Sequence, residues 1–343
     1  MIILGIDTSC DDTSAAVVRD GSMILSNIVS SQTEIHRKYG GIVPELASRR
    51  HIEMIWPVVD EALFAAGYSL DKTDAIAVCQ GPGLIGSLLV GCGFAKAVSY
   101  AKKIPIVAVN HLEGHIFSVF LEAEIPEFPF LSLVVSGGHT SIYLVEEFGR
   151  YRELGRTRDD AAGEAYDKVS KLLGLGYPGG PVIDRLAAEG DAKAFNFPRA
   201  YIPESLDFSF SGLKTAVRNK LMESRSHLEM SGKADRPDDT FIGDIAASFQ
   251  AAVTDVLVRK TEWAMGRTGI RMVTLSGGVA ANSELRTRME KMAVAKGAEL
   301  FLPSRQLCTD NAAMIAAAGY RRFMAGERAG LDLNPRAYLP LGA

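Results

Sequence analysis

The feature that most constrains the fold of this chain is a pattern that occurs twice. Residues 2–7 form an apolar run that ends in Asp7, and a turn rich in hydroxyl and carboxylate groups separates it from a second apolar run at residues 14–19. Residues 130–135 and 141–146 repeat the pattern around a turn of serine, glycine and threonine. Short apolar runs joined by small polar turns are typical of β-hairpins. The repetition predicts two related domains, each opening with a hairpin whose tip can bind phosphate.

The length and the later patterns agree with this division. A chain of 343 residues is long enough for two domains. A proline-containing stretch at residues 125–129 marks the boundary, so we predict an N-terminal domain at residues 1–129 and a C-terminal domain at residues 130–343. The last helix, at about residues 309–325, is expected to pack back towards the first domain. Strands that alternate with helical segments predict an α/β fold, with mixed sheets flanked by helices.

Composition narrows the choice of partners and compartment. The net charge of −4 provides no general attraction for nucleic acid, so DNA is not expected, and an RNA partner would require local basic patches such as Arg49, Arg50, Lys214 and Arg218. The four cysteines form no C-x-x-C pair, which favours a reducing compartment. The chain starts directly on an apolar strand without a basic leader, and no membrane segment is expected. We therefore predict a cytoplasmic protein.

Two histidines four residues apart form the main candidate site. His111 and His115 would share one face of a helix and could bind a single divalent metal. A zincin protease needs glutamate directly after the first histidine, but Leu112 stands there and Glu113 is about 100° further around the helix. Two surface or core histidines are the alternative explanation. Asp310, near the start of the last helix, is the candidate third ligand, with a helix cap as its alternative.

Glycine-rich turns at the starts of helices are candidate nucleotide contacts. They occur at residues 136–138, 174–180 and 276–282, and small residues there allow a phosphate to approach backbone N–H groups. Asp167 and Asp184 are candidates for ribose or hydroxyl recognition, although exposed helical aspartates are common.

An irregular region lies further along the chain. Residues 207–220 combine aromatic and basic side chains, as in single-stranded RNA binding, although a partly buried lid would explain the phenylalanines equally well. The polar residues 224–239 are predicted to form a loop.

Several motifs, taken together and in order, resemble one family. The chain is similar to TsaD, the tRNA N6-adenosine threonylcarbamoyltransferases of the actin-like ATPase superfamily, formerly labelled O-sialoglycoprotein endopeptidases. The resemblance spans nearly the whole chain without a large insertion. The motifs that carry it lie at residues 111–115, 135–140, 160–165, 177–181, 276–282 and 309–311.

The resemblance implies a fold and a reaction. The fold would be that of an actin-like ATPase, with two duplicated domains around a nucleotide cleft. The reaction would move the threonylcarbamoyl group of threonylcarbamoyl-AMP to N6 of adenosine 37 in tRNAs that read codons beginning with A, releasing AMP. An actin-superfamily kinase, or a carbamoyltransferase acting on another acceptor, is the alternative. A non-catalytic nucleotide-binding scaffold is expected to lack the histidine pair.

The resemblance also implies site residues. His111, His115 and Asp310 match metal ligands, and Asp12 is the candidate catalytic residue. Asp7 and Asp12 stand where some relatives carry glutamate, so a proton-handling role for Asp12 would act with one methylene less of reach. The positions implied to contact the adenylate or a bound nucleotide are Ser9, Val134, Val135, Ser136, Gly137, Gly138, Asp167, Gly180, Asp184, Gly277, Gly278 and Asn282.

Cofactors and partners follow from the same resemblance. One divalent metal per subunit is implied, with iron favoured over zinc, and ATP or ADP can occupy the cleft. The implied partners are tRNA, the proteins TsaB and TsaE, and TsaC as the source of the adenylate.

Overall fold

The computed structural model describes residues 1–230 and 238–341, and its strands fall into two mixed sheets. The strands are β1 (Ile2–Asp7), β2 (Asp12–Arg19), β3 (Met23–Ser31), β4 (Ala75–Gly81), β5 (Ile106–Asn110), β6 (Phe130–Val135), β7 (Thr140–Glu147), β8 (Arg150–Arg156), β9 (Met272–Ser276) and β10 (Glu299–Phe301). The helices are α1 (Thr33–Arg37), α2 (Pro44–Ala66), α3 (Ile85–Lys102), α4 (His111–Phe117), α5 (Ala162–Leu173), α6 (Gly179–Ala187), α7 (Ser211–Met230), α8 (Asp239–Thr268), α9 (Ser283–Lys296), α10 (Arg305–Cys308) and α11 (Ala312–Met324).

The two sheets have the same strand arrangement. The first has the order β3-β2-β1-β4-β5, in which β1 pairs antiparallel with β2 and parallel with β4. The second has the order β8-β7-β6-β9-β10, in which β6 pairs antiparallel with β7 and parallel with β9. In each sheet, therefore, the first strand of the hairpin pairs antiparallel with the second strand on one side and parallel with a later strand on the other. The predicted α/β class with mixed sheets and helices is confirmed.

The described residues form two compact units. The first consists of Met1–Phe128, Glu146–Tyr151 and Phe301–Ala343, and the second of Pro129–Val145 and Arg152–Leu300. Asp310 and α11 therefore belong to the first unit, whereas the predicted boundary assigned every residue after 129 to the second domain. The helix α11 packs on β1, β2 and β4 and on α4.

The two faces of β1 have different partners because side chains alternate along a strand. Leu4 and Ile6 belong to an apolar cluster that includes side chains from α2 and α3. Gly5 lies on the other face, where a Cβ would overlap the carbonyl oxygen of Ala312 at the start of α11. The same alternation places Asp7, at the end of the strand, on the α11 side.

Two details of the helices concern α4 and α7, and the second differs from the prediction. The helix that starts at His111 ends at Phe117 and continues as a 3-10 turn over Ser118–Leu121. The loop predicted from residue 224 is wrong as far as Met230, because α7 extends to that residue; residues 231–237 lie outside the described residues.

One described helix, α8, is long and apolar enough to cross a membrane by length and composition alone. However, 78% of its most apolar window is buried inside the protein, as in the core helix of a globular fold.

Candidate active site

Three predicted metal ligands converge in the first unit. The strand β5 ends at Asn110, whose side-chain oxygen caps α4 by accepting hydrogen bonds from the backbone N–H groups of Leu112 (2.9 Å) and Glu113 (3.4 Å). This cap starts the helix at His111, so that His111 and His115 face the same side. Their Nε2 atoms lie 3.6 and 3.2 Å from Oδ1 of Asp310.

The donor set fits a divalent metal. One ligating atom from each of His111, His115 and Asp310 lies within 4.8 Å of the other two. Ligands bound to a metal at about 2.0–2.2 Å in a tetrahedral arrangement are roughly 3.4 Å apart, close to the two separations observed. Both ring nitrogens of His115 are buried and have no aligned hydrogen bond among the described residues. Buried polar atoms are normally satisfied, so this arrangement indicates a place for a cation.

Asp7 lies beside the first histidine. Its Oδ2 lies 3.3 Å from Nδ1 of His111, and its side chain is 1% exposed. A carboxylate at Nδ1 directs Nε2 of the imidazole towards the metal, as in many metal sites. Burial lowers the pKa of His111, but the carboxylates of Asp310 and Asp7 outweigh it and raise this pKa to about 9. The surroundings of His111 therefore favour positive charge.

Cys79 lies beside this pair without the properties of a good ligand. Its sulfur, a carboxylate oxygen of Asp7 and a ring nitrogen of His111 form a second close group. Burial raises the pKa of the Cys79 thiol well above its usual value, and Asp7 adds to the shift. A thiolate is the form that binds metals, so we interpret this group as the surroundings of His111 rather than as a second metal site.

Asp12 has the protonation behaviour expected of an acid–base group. Burial, followed by repulsion from Asp11 and Asp310, raises the pKa of Asp12 to about 7. Its Oδ1 is buried and has no hydrogen-bond partner within residues 1–230 and 238–341. A carboxylate that titrates near neutral pH can accept or donate a proton under physiological conditions. A catalytic role for Asp12 stays a prediction.

The predicted nucleotide contacts gather at one edge of the second sheet. Val134 pairs with Ser276 in the parallel ladder, so the turns that follow β6 and β9 lie side by side at the carboxyl ends of these strands. Gly277 has a φ of 91°, and a Cβ there would overlap the carbonyl oxygen of Val135. Gly137 and Gly138 are exposed, with open space where a Cβ would be. Such turns leave backbone N–H groups accessible to phosphate.

Hydrogen bonds hold this edge together. The N–H of Gly163, at the start of α5, donates to the carbonyl of Ser136 (3.2 Å). Asp167 accepts from the N–H of Gly179 (2.7 Å), and Asp184 accepts from the hydroxyl of Ser283 (2.8 Å). These bonds connect α5 with α6 and α6 with α9.

Other residues predicted to contact the nucleotide form hydrogen bonds within the protein or have buried side chains. Asn282 accepts from the N–H of Leu285 (2.9 Å) as the cap of α9, and donates to Gln250 (2.7 Å). The side chains of Val134 and Val135 are fully buried, which leaves only their backbone for a ligand. The remaining members are Gly180, Gly278 and Ser9. No atom of the part of the chain that the structure describes lies close to a potential Cβ on either glycine. Ser9 lies in the first unit, and its buried hydroxyl has no partner among those same residues.

The predicted RNA patch is divided between the units. Arg49 and Arg50 lie on α2 of the first unit, and Arg50 forms an ion pair with Glu53 (2.7 Å). Lys214 and Arg218 lie on α7 of the second unit. The four residues therefore form two basic pairs, one in each unit.

Comparison with solved structures first defines the class. Component A of (R)-2-hydroxyglutaryl-CoA dehydratase from Acidaminococcus fermentans matches with a TM-score of 0.53 at 16% identity, over 94% of this chain and 98% of that one. A phosphate- and nucleotide-bound structure of full-length HypF matches with a TM-score of 0.58 at 15% identity, over 95% of this chain and 47% of that one. At these identities the likeness concerns the fold alone, which is the actin-like ATPase fold.

Sequence comparison then gives the family. The model of "TsaD: tRNA N6-adenosine threonylcarbamoyltransferase" matches residues 23–317. The proteins of that name from Thermodesulfovibrio yellowstonii and Geotalea uraniireducens are 61% and 56% identical to this chain, over 99% of it and over 100% and 97% of their own lengths. The chain belongs to the TsaD family.

Proposed function

We propose that this chain transfers the threonylcarbamoyl group of threonylcarbamoyl-AMP to N6 of adenosine 37 in tRNA and that the reaction depends on a divalent metal. Family membership supports the reaction and the tRNA substrate. The observation that carries the metal dependence is the convergence of His111, His115 and Asp310 within 4.8 Å. Two histidines and one carboxylate suit iron(II) or zinc and leave coordination positions for substrate oxygens.

In this reaction the adenine N6 attacks the carbamoyl carbon, the bond from that carbon to the phosphate oxygen breaks, and AMP leaves. His111, His115 and Asp310 would hold the cation, which when bound supplies Lewis-acid charge stabilisation. The Asp12 carboxylate would accept the proton that N6 loses and release it to solvent, because burial and the neighbouring Asp11 raise its pKa. The N–H groups of the turn at residues 136–138 would bind the phosphate of the adenylate.

The partner proteins proposed are TsaB and TsaE, with the adenylate supplied by TsaC in the cytoplasm. Exposed apolar side chains on the first unit support a protein partner: Ile52, Trp56 and Phe64 on α2 are 67%, 50% and 86% exposed. Leu89, on the neighbouring helix α3, is 55% exposed. Contiguous exposed apolar side chains commonly mark protein interfaces. Loss of TsaB co-purification with Trp56→Glu, but not with the exposed control Glu53→Gln, would support this assignment.

Recognition of tRNA is proposed to use the two basic pairs. Reversing the charge of Arg49 and Arg50, or of Lys214 and Arg218, should weaken tRNA binding and reduce its dependence on salt, because fewer phosphates are neutralised. Binding would be measured by filter retention at several salt concentrations. Unchanged affinity in both double variants would show that the tRNA lies elsewhere.

The activity is tested by reconstitution. The protein, its partner proteins, unmodified tRNA, threonine, bicarbonate and ATP are incubated, and the modified nucleoside is measured by mass spectrometry. The proposal predicts product with wild type and its loss in His111→Ala while adenylate still accumulates. Chelation should abolish product, and adding back iron or zinc separately would identify the active metal.

Two outcomes would contradict the proposal. Unchanged product in His111→Ala would remove the metal from the transfer step. Absence of product with wild type, combined with ATP-dependent phosphorylation of another acceptor, would favour the alternative of an actin-superfamily kinase.

A further inference from the structure

Glu113, which lies between the two histidines in sequence, is engaged away from them. It is two residues from each histidine, about 200° around the helix axis. Its Oε1 accepts from the hydroxyl of Tyr151 (2.5 Å) and from Nη2 of Arg322 (3.1 Å), and its Oε2 accepts from Nε of Arg322 (2.5 Å). The side chain is completely buried. Both carboxylate oxygens are therefore occupied by fixed donors.

The principal partner comes from the helix that follows the third ligand. Arg322 lies in the last turns of α11, and this helix begins immediately after Asp310 and its capping residue Asn311. The Glu113–Arg322 pair therefore joins the helix that carries both histidines to the helix that extends from Asp310. All of these residues belong to the first unit.

The two helices also approach closely between these points. A Cβ on Gly114 would lie 2.9 Å from Cδ1 of Ile315 and 3.3 Å from Cγ of Met314. Close packing of this kind limits the separation of the helices but not their rotation or sliding. A bidentate pair of hydrogen bonds between a planar guanidinium and a carboxylate fixes the relative orientation of the two groups as well as their distance.

The outer side of Arg322 offers a natural control. Its Nη1 pairs with Glu327 (2.5 Å), a side chain that is 48% exposed. This contact involves the same arginine but reaches solvent and lies outside the connection between the helices. Exposed ion pairs contribute little, whereas a buried carboxylate that loses its partner is strongly disfavoured.

We infer that Glu113 is a positioning residue: its buried pairing with Arg322 and Tyr151 fixes α4 relative to α11 and thereby sets the positions of His111 and His115 relative to Asp310. The inference rests on the proposed metal site. Residues that contact the ligands rather than the metal, and thereby orient them, typically contribute about 10–100-fold to metal affinity. Removing this contact should therefore weaken metal binding although none of its members touches the metal.

The test measures metal binding rather than transfer activity. Co2+ is titrated into apoprotein in competition with a chelator, and its visible absorption reports the coordination geometry. In Glu113→Gln, Co2+ affinity should fall by about 10–100-fold, with an altered spectrum. In Glu327→Gln it should stay within about twofold of wild type, because that pair is exposed.

A second variant separates positioning from stability. The triple substitution Glu113→Leu, Arg322→Met and Tyr151→Phe removes the buried polar groups together, and such apolar replacements often preserve or increase stability. It should unfold at or above the wild-type denaturant concentration and still bind Co2+ more weakly. Wild-type affinity and spectrum in this variant would overturn the inference. Failure of wild type to bind Co2+ in a manner that depends on His111 and His115 would instead overturn the metal site itself.

Discussion

Replacing Asn282 tests whether this predicted substrate contact also holds the second unit together. In Asn282→Ala, α9 loses a side-chain cap, which costs about 1 kcal/mol. The oxygen of Gln250, which is 2% exposed, also loses its 2.7 Å donor and keeps only the hydroxyl of Tyr166 at 3.5 Å, the outer limit of a hydrogen bond. A buried acceptor that is so poorly satisfied costs about 1–3 kcal/mol. The expected loss is therefore about 2–4 kcal/mol, or roughly 4–16 °C in the melting temperature of a unit of this size.

The matched control is Asn282→Asp. Aspartate caps helices as well as asparagine does, and the Gln250 amide can turn its NH2 group towards the new carboxylate. This variant should melt within a few degrees of wild type, at roughly 1 kcal/mol or less. Differential scanning fluorimetry of both proteins without ligand gives the comparison. A wild-type melting temperature for Asn282→Ala would refute the structural role and leave ligand contact as the function of this residue.

Three further predictions concern other parts of the chain. Asp7→Asn should weaken divalent-metal binding by about 10–100-fold, because His111 loses the carboxylate that directs its Nε2; chelator competition measures this, and an unchanged affinity would contradict it. Gly163→Ala should weaken nucleotide binding by isothermal titration, because a Cβ would lie 2.6 Å from the carbonyl oxygen of Ser136; wild-type binding would show that the turn can shift. Burial raises the pKa of Asp159, but hydrogen bonds from residues 209–211 outweigh it and lower this pKa. The stabilising contribution of Asp159 should therefore be present above about pH 4 and disappear as the pH falls through the pKa of Asp159 in the folded protein. Acid titration of unfolding should show less pH dependence in Asp159→Asn.

The duplicated architecture follows from local patterns, whereas the roles of several carboxylates depend on distant contacts. The alternating apolar runs at residues 2–19 and 130–146 indicate the two hairpins, because strand periodicity is a local property. The spacing of His111 and His115 likewise indicates a shared helix face. Glu113 is different, because its partner Arg322 is 209 positions away and no local pattern connects them.

The location of the last helix and the role of Asp7 also depend on contacts between residues that are distant in sequence. A helical pattern from about residue 309 predicts α11, which is expected to pack back towards the first domain, but the pattern does not assign Asp310 and α11 to that domain. The sequence offered one overlooked signal: Asp7 ends a strand of the parallel set β1-β4-β5, and β5 ends next to His111. Because parallel strands end at one edge of a sheet, their terminal side chains should lie together, and here they do.

Because Gly5 packs closely against α11, the strict distance requirements of metal coordination also apply to this position in the core. Asp310 precedes α11, and the start of that helix rests on a strand position where a single methyl group would collide with backbone. Ligand distances must hold to within about 0.2 Å, a far smaller distance than the shift that such a methyl group would impose. A substitution scan of metal binding should therefore find Gly5 as intolerant as the ligands themselves, and a map of sensitive positions would outline the support of the site as well as its chemistry.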